Sequence, residues 1–352
     1  MNKPYRMATG IGSLPFTDEN QALSLIFKNM PFVPHWPQLP KLSKTEGIIE
    51  QFLFPLIETG ILRYNQKGNP FFDTGNPAFT DSAANFYNFY LAAGENDPQA
   101  QKMFTMHPKY ASGYYAFIKR LKQQGVGEAK FIKGQVSGPL TVGIKLTDAD
   151  LEPSFYKDEL RDIMVRALEM QMIQQVKEMH QFKLPVIIFI DDPGLCYFGQ
   201  APYIGLNRNH IIESYSVMIE SIHKLGALVG VHVCSGIDWS ILVEAGVDII
   251  NLDAVNYSDS LLVYTESLQE FMNQGGIIAW GIVATLNRSI SDDAKTVINR
   301  LEKCLNTLVN KGFSQGLLNK QLMITPSCGT GTLSSELAEK VYTLTGEVQN
   351  LL

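Results

Sequence analysis

The chain has 352 residues, of which 45% are hydrophobic and 18% charged, and its formal net charge is -6. That length allows one large core, because barrels of alternating strands and helices run to about 250 residues and beyond as a single domain. The acidic balance and the lack of any Lys/Arg cluster speak against nucleic acid or an anionic membrane as the main partner, since both need a positive surface.

In chain order, Met1 to Met7 leads into Ala8-Thr9-Gly10 without an apolar signal core, and the longest apolar run, residues 185–190, is too short to span a bilayer. A cytoplasmic location is expected. Short β-rich runs at residues 7–14, 30–33, 131–136, 186–190, 227–233, 248–252, 277–283 and 322–325 make eight candidate strands. Several are apolar almost throughout, as strands covered on both faces should be, and amphipathic patterns at 211–225 and 292–311 separate the later ones. The expectation is α/β, a (β/α)8 TIM barrel, with residues 1–352 forming one domain. Residues 64–115 interrupt the pattern with Asn, Gly and aromatic residues and with Pro70, Pro77, Pro98 and Pro108. They are expected to form an irregular insertion, either over one mouth of the barrel or as a peripheral decoration with local helices.

Four cysteines, Cys196, Cys234, Cys304 and Cys328, do not make a disulfide framework in a chain this long, which leaves thiols free for metal or chemistry. In Val231-His232-Val233-Cys234 the spacing of two puts imidazole and thiol on one face of a strand at its C-terminal end. A further soft ligand follows another strand in Thr325-Pro326-Ser327-Cys328-Gly329. In a barrel, residues at the ends of different strands converge on one mouth. Two sulfurs and one imidazole suit zinc, and three protein ligands leave the open position that catalytic zinc needs. Buried core residues are the plain alternative for His232 and the cysteines. Asp253, on the next strand, is a candidate fourth ligand or a partner for His232.

Two adjacent carboxylates, Asp191 and Asp192, end a buried strand and face opposite ways. Asp191 is the better candidate to face the mouth and take a substrate ammonium, and Asp192 a structural role; both could instead cap the following helix. Gly10-Ile11-Gly12-Ser13 offers backbone N–H groups and a hydroxyl to a carboxylate. Ser137-Gly138-Pro139-Leu140-Thr141 is a similar turn. The sequence carries no Walker loop and no Rossmann fingerprint.

With these pieces in order, the chain resembles the catalytic barrel of cobalamin-independent methionine synthase. More broadly, it resembles the zinc-thiol methyltransferases that share a barrel with uroporphyrinogen decarboxylase. The resemblance rests on residues 9–15, 132–141, 190–193, 232–234 and 325–329. It implies zinc ligation by His232, Cys234 and Cys328, and it puts Asp253 where the family has a glutamate ligand. It also implies homocysteine contacts from Ile11, Ser13, Asp191 and Glu50. Two departures stand out: nothing here matches the extra N-terminal barrel that helps hold folylpolyglutamate, and residues 281–286 lack the histidine expected as a proton donor.

The expected activity is methyl transfer to a small thiol, with homocysteine giving methionine. The donor would be a methylated corrinoid protein, which needs no such proton, or methyltetrahydrofolate. Zinc would supply the thiolate that a free thiol of pKa about 8.5 rarely provides at neutral pH. The rival readings are transfer to another thiol such as coenzyme M, a uroporphyrinogen decarboxylase-like enzyme, and a non-catalytic corrinoid- or zinc-binding accessory protein.

Overall fold

The computed structural model describes residues 2–285 and 291–352. Met1 lies outside the described residues, and so does Leu286, the last residue of the segment inspected for a histidine. A small antiparallel pair, β1 (Leu62–Tyr64) and β2 (Pro70–Phe72), precedes the main sheet. That sheet has six parallel strands: β3 (Ile132–Ser137), β4 (Val186–Asp191), β5 (Leu228–Val233), β6 (Ile249–Asp253), β7 (Ile277–Val283) and β8 (Leu322–Pro326). They pair in sequential order and curl into part of a barrel, with the connecting helices outside.

The sequence dictates this layering. In β4, Ile188 and Ile190 join Val229, Val231, Ile250, Leu252, Ile278 and Trp280 in the large core shared with helices such as Asp158–Met179 and Arg208–Lys224. The alternate residues Ile187, Phe189, Leu228, Ile249, Ile277, Ala279 and Met323 form a second apolar cluster on the concave face. The period of two then continues up the same face into polar positions: Lys133 and Gln135 on β3, Asp191 on β4, His232 on β5, Asn251 on β6 and Thr325 on β8. The apolar layer fills the floor, and the chemistry sits above it.

Two expected strands, at residues 7–14 and 30–33, are not strands. Residues 6–9 meet β8 through one bridge, Ala8 with Ile324, and residues 32–35 meet β3 through one bridge, His35 with Lys133. Side chains take the backbone groups that a regular ladder would use. The Ala8 N–H donates to Gln349 Oε1 (2.6 Å), Lys133 Nζ donates to the Ile11 carbonyl (2.6 Å), and Gln135 Nε2 donates to the Trp36 carbonyl (3.1 Å). Pro34 has no N–H to give. The two segments also touch each other, with Thr9 Oγ1 donating to the Val33 carbonyl (2.8 Å) and Ser13 bridged to Gln38. The observed sheet is therefore six-stranded, with irregular segments along both edges, where eight strands were expected.

Residues 64–115 follow the second of the two expectations, a peripheral decoration with local helices. They form β2 and the helices Phe79–Gly94 and Pro98–Met103, and they lead into Ser112–Gln124. The prolines stand where proline is tolerated: Pro98 opens its helix behind the Asp97 cap, and Pro70 starts a strand of an isolated hairpin. Tyr87 and Tyr90 hydrogen-bond Asp162 and Glu169 on the outer helix Asp158–Met179, so this part of the chain packs on the flank. Among the described residues, no helix is long and apolar enough to cross a membrane.

His35 is fully buried at the junction of the two irregular segments. Its Nδ1 donates to the Trp36 carbonyl (2.9 Å), which leaves Nε2 to accept from the Tyr342 hydroxyl (3.0 Å). A Cβ on Gly10 would lie 2.3 Å from His35 Nε2 and 2.4 Å from the Tyr342 oxygen, so only glycine fits beside this pair. Burial, reinforced by the nearby Lys133 ammonium, pushes the imidazole down to about 3. The unfolded chain takes up this proton near pH 6.5 and the folded chain does not, so stability is full above that pH and falls as pH drops towards about 3. Unfolding free energies of the wild type from urea titrations should fall more steeply between about pH 6.5 and 5 than those of His35→Gln, by on the order of 1–2 kcal/mol. Parallel pH profiles would contradict the buried neutral imidazole.

Candidate functional site

Parallel pairing brings the C-terminal ends of all six strands to one side of the sheet. There, one ligand atom each from His232, Cys234 and Cys328 lies within 4.8 Å of the other two. His232 and Cys234 are two apart at the end of β5, so they share a face, and Cys328 follows β8 by two residues. The three side chains line a cavity of about 300 Å³ together with Ile11, Ser13 and Asp191. Among the described residues, none of the side chains lining it is a Lys or Arg.

The donor chemistry fits a metal ion. His232 is 2% exposed, and its Nδ1 lies 2.6 Å from Asn251 Oδ1, whereas the buried Nε2 has no hydrogen-bond partner. An imidazole nitrogen without a hydrogen-bond partner, beside two sulfurs, is a donor set suited to a metal ion. Donation from the Cys234 thiol, with the neighbouring His232, holds the Cys328 thiol below its ordinary range. The same contact, with burial, pushes Cys234 up. A metal ion would replace the proton that the two sulfurs share.

Asp191 stands on the cavity wall beside His232, its register partner across β4 and β5. Its Oδ1 is buried without a hydrogen-bond partner. Burial raises the carboxyl to about 6, against the opposing pull of the Lys133 and His232 charges. Asp192 faces the other way and is saturated. It accepts from Leu140 N (3.0 Å), Thr141 N (2.7 Å), Thr141 Oγ1 (2.5 Å) and the Tyr215 hydroxyl (2.6 Å). It thereby ties the turn after β3 to β4 and to the helix Arg208–Lys224.

The remaining expected site residues divide. Ser13 lines the cavity against the loop that carries Cys328: its Oγ accepts from Gly331 N (3.3 Å), and a Cβ on Gly329 would lie 2.2 Å from that oxygen. Ile11 also lines the cavity, with its carbonyl held by Lys133. Gly12 packs on Gln135, whose Nε2 lies 2.8 Å from where a Cβ would be. Glu50 opens a short 3-10 helix and folds back towards Gly47, and Ile48 lines the cavity instead.

Asp253 is not in the ligand group. It caps the helix Ala254–Tyr257, accepting from Val255 N (3.0 Å), Asn256 N (3.1 Å) and Asn256 Nδ2 (2.7 Å). A carboxylate engaged by three donors at a helix start is retained there by the cap. The partner of His232 is Asn251, which the sequence reading passed over. Lys133, which is fully buried under the cavity and stacked over the Phe189 ring at 4.5 Å, was missed as well.

No known protein family matches the chain, and none of the curated proteins compared with it does.

Replacing Asp192 by alanine should lower stability by about 3–5 kcal/mol, because two backbone N–H groups and the Tyr215 hydroxyl lose their shared acceptor in the interior. Thermal melts would record this, and a loss under about 1 kcal/mol would mean that the turn holds without it.

Proposed function

We propose that this chain is a zinc-dependent methyltransferase on a (β/α)8-type barrel that methylates a small thiol, with homocysteine converted to methionine. The observation that carries the reading is the His232, Cys234 and Cys328 group on the wall of a small cavity that also holds the orphaned Asp191 carboxylate. Two sulfurs and an imidazole are a borderline-soft set that favours zinc over magnesium or calcium. The bridges that residues 8 and 35 make to β8 and β3 support a barrel whose first two staves are irregular.

Zinc, when bound, would hold a thiol as its thiolate at neutral pH and keep it nucleophilic. The protein's own groups do the rest. Asp191 Oδ1, free of other partners, accepts from a substrate ammonium, and the Ser13 hydroxyl and the backbone beside it receive the carboxylate end. The cavity of about 300 Å³ suits a small amino thiol and limits the water beside its sulfur. The thiol proton leaves, the sulfur forms the new bond to the methyl carbon in line, and the donor keeps the electron pair of the bond that breaks.

A donor larger than the cavity must reach the sulfur from the open mouth. A methylated corrinoid protein fits better than methyltetrahydrofolate, because a folate nitrogen needs a proton and residues 281–291 contain no histidine to give it. The lack of Lys or Arg among the described lining residues weighs against the sulfonate of coenzyme M and against a polyacidic porphyrin.

The test is turnover of the zinc-loaded protein with free methylcobalamin as donor and homocysteine as acceptor, followed by methionine formation. Coenzyme M should be a far poorer acceptor. Asp191→Asn should raise KM for homocysteine about tenfold to a hundredfold and leave 4-mercaptobutyrate, which lacks only the amine, nearly unchanged. Cys328→Ala should abolish transfer. Equal turnover in Cys328→Ala, or preference for coenzyme M, would overturn the reading.

A further inference from the structure

Asn251 is fully buried on β6, beside His232 in the register of β5 and β6. Its amide nitrogen has two partners, the Ala279 carbonyl on β7 (2.7 Å) and Thr325 Oγ1 on β8 (2.8 Å). Its amide oxygen lies 2.6 Å from His232 Nδ1 on β5. The orientation of the amide is determined by Ala279, since a carbonyl oxygen can only accept. Reversing the amide would set oxygen against oxygen at Ala279. With Oδ1 thus turned to the histidine, His232 Nδ1 must carry a proton, so in the neutral ring the lone pair lies on Nε2, the nitrogen on the side of the two cysteines.

We propose that Asn251 is a positioning residue that fixes His232 as the Nδ1–H tautomer and, through Thr325, holds β5 in place relative to the strand that leads to Cys328. One side chain spans the four strands β5 to β8, and both of the strands that supply ligands, β5 and β8, end on it. A free imidazole in water favours the Nε2–H form, in which the nitrogen needed by a metal is occupied by a proton. The Asn251 amide reverses that preference before any ion arrives. The ligand geometry is set in advance, so a metal ion need not reorganise the ring.

The inference about metal affinity rests on the metal reading of the site, whereas the tautomer does not depend on it. The experiment therefore begins with the metal-free protein: two-dimensional 15N–1H spectra of the histidine rings, with His232 assigned by its loss in His232→Gln. The expected result is an Nδ1–H pattern in the wild type at a pH high enough for the ring to be neutral. Asn251→Asp, with its second oxygen protonated against the Ala279 carbonyl, keeps an acceptor at Oδ1 and should preserve that pattern, while Asn251→Leu should shift His232 towards Nε2–H. Zinc competition against a chromophoric chelator should then show affinity about 10–100-fold lower in Asn251→Leu. Thr325→Val, which keeps the amide oxygen on His232, should retain the tautomer and lose less affinity.

An Nε2–H wild type overturns the proposal, as does zinc affinity unchanged in a folded Asn251→Leu. If Asn251→Leu does not fold, the wild-type and Asn251→Asp spectra still decide the tautomer, and Thr325→Val tests the link to β8. A wild type that shows Nδ1–H yet binds no zinc would sink the metal reading and leave the positioning role standing.

Discussion

Parallel pairing in sequential order is the constraint from which the rest of this molecule follows. It sends the C-terminus of each strand from β3 to β8 to the same side, so that Cys234 and Cys328, far apart in sequence, stand within reach of one ion. It also aligns the inward positions of neighbouring strands, and those positions change from Ile, Leu and Phe at the floor to Lys133, Asp191, His232 and Asn251 above. A concave face filled this way gives the polar groups a rigid apolar seat, and it also removes water from them. The consequences are visible in the charges: a carboxyl at Asp191 held up near 6 by burial and a lysine at Lys133 brought down to about 8 by the same burial.

The polar layer divides into groups that are satisfied and groups that are not. Asp192, Gln135, Gln175 and Asn251 spend their donors and acceptors on the protein and fix turns and strand edges. His232 Nε2 and Asp191 Oδ1 are buried without partners, and both belong to residues on the same cavity wall. Unsatisfied buried groups destabilise a fold unless something binds them, and the convergence of these two on one cavity is the ground on which the proposed ligand site rests. The turn fixed by Asp192 and the tautomer fixed by Asn251 are the means by which these two orphans are presented.

Much of this was legible in the residues. Strands β3 to β8 appear within a residue or two of their expected positions because several of them are apolar almost throughout, and His232 with Cys234 follows from the period of two alone. The two irregular segments along the sheet edges could not be read the same way. Their backbone groups are met by Gln349, Lys133 and Gln135, partners far away in the chain that no local pattern reveals. The prolines of residues 64–115 suggested irregularity, but Pro98 opens a helix, where its missing N–H does no harm. Asp253 was placed on the correct strand, yet a following helix that needs a cap decides what its carboxylate does. Asn251 lies two residues earlier on that same strand, and only the register between β5 and β6 shows that it meets His232.

The account turns on one ion held by three side chains with room for a substrate sulfur. Zinc K-edge X-ray absorption on the metal-loaded protein, with and without homocysteine, examines that directly. The account requires a first shell of two sulfurs and one imidazole nitrogen from the protein, and a gain of one sulfur when homocysteine is added. A protein that takes up no zinc, or a zinc shell that ignores the thiol, would contradict it.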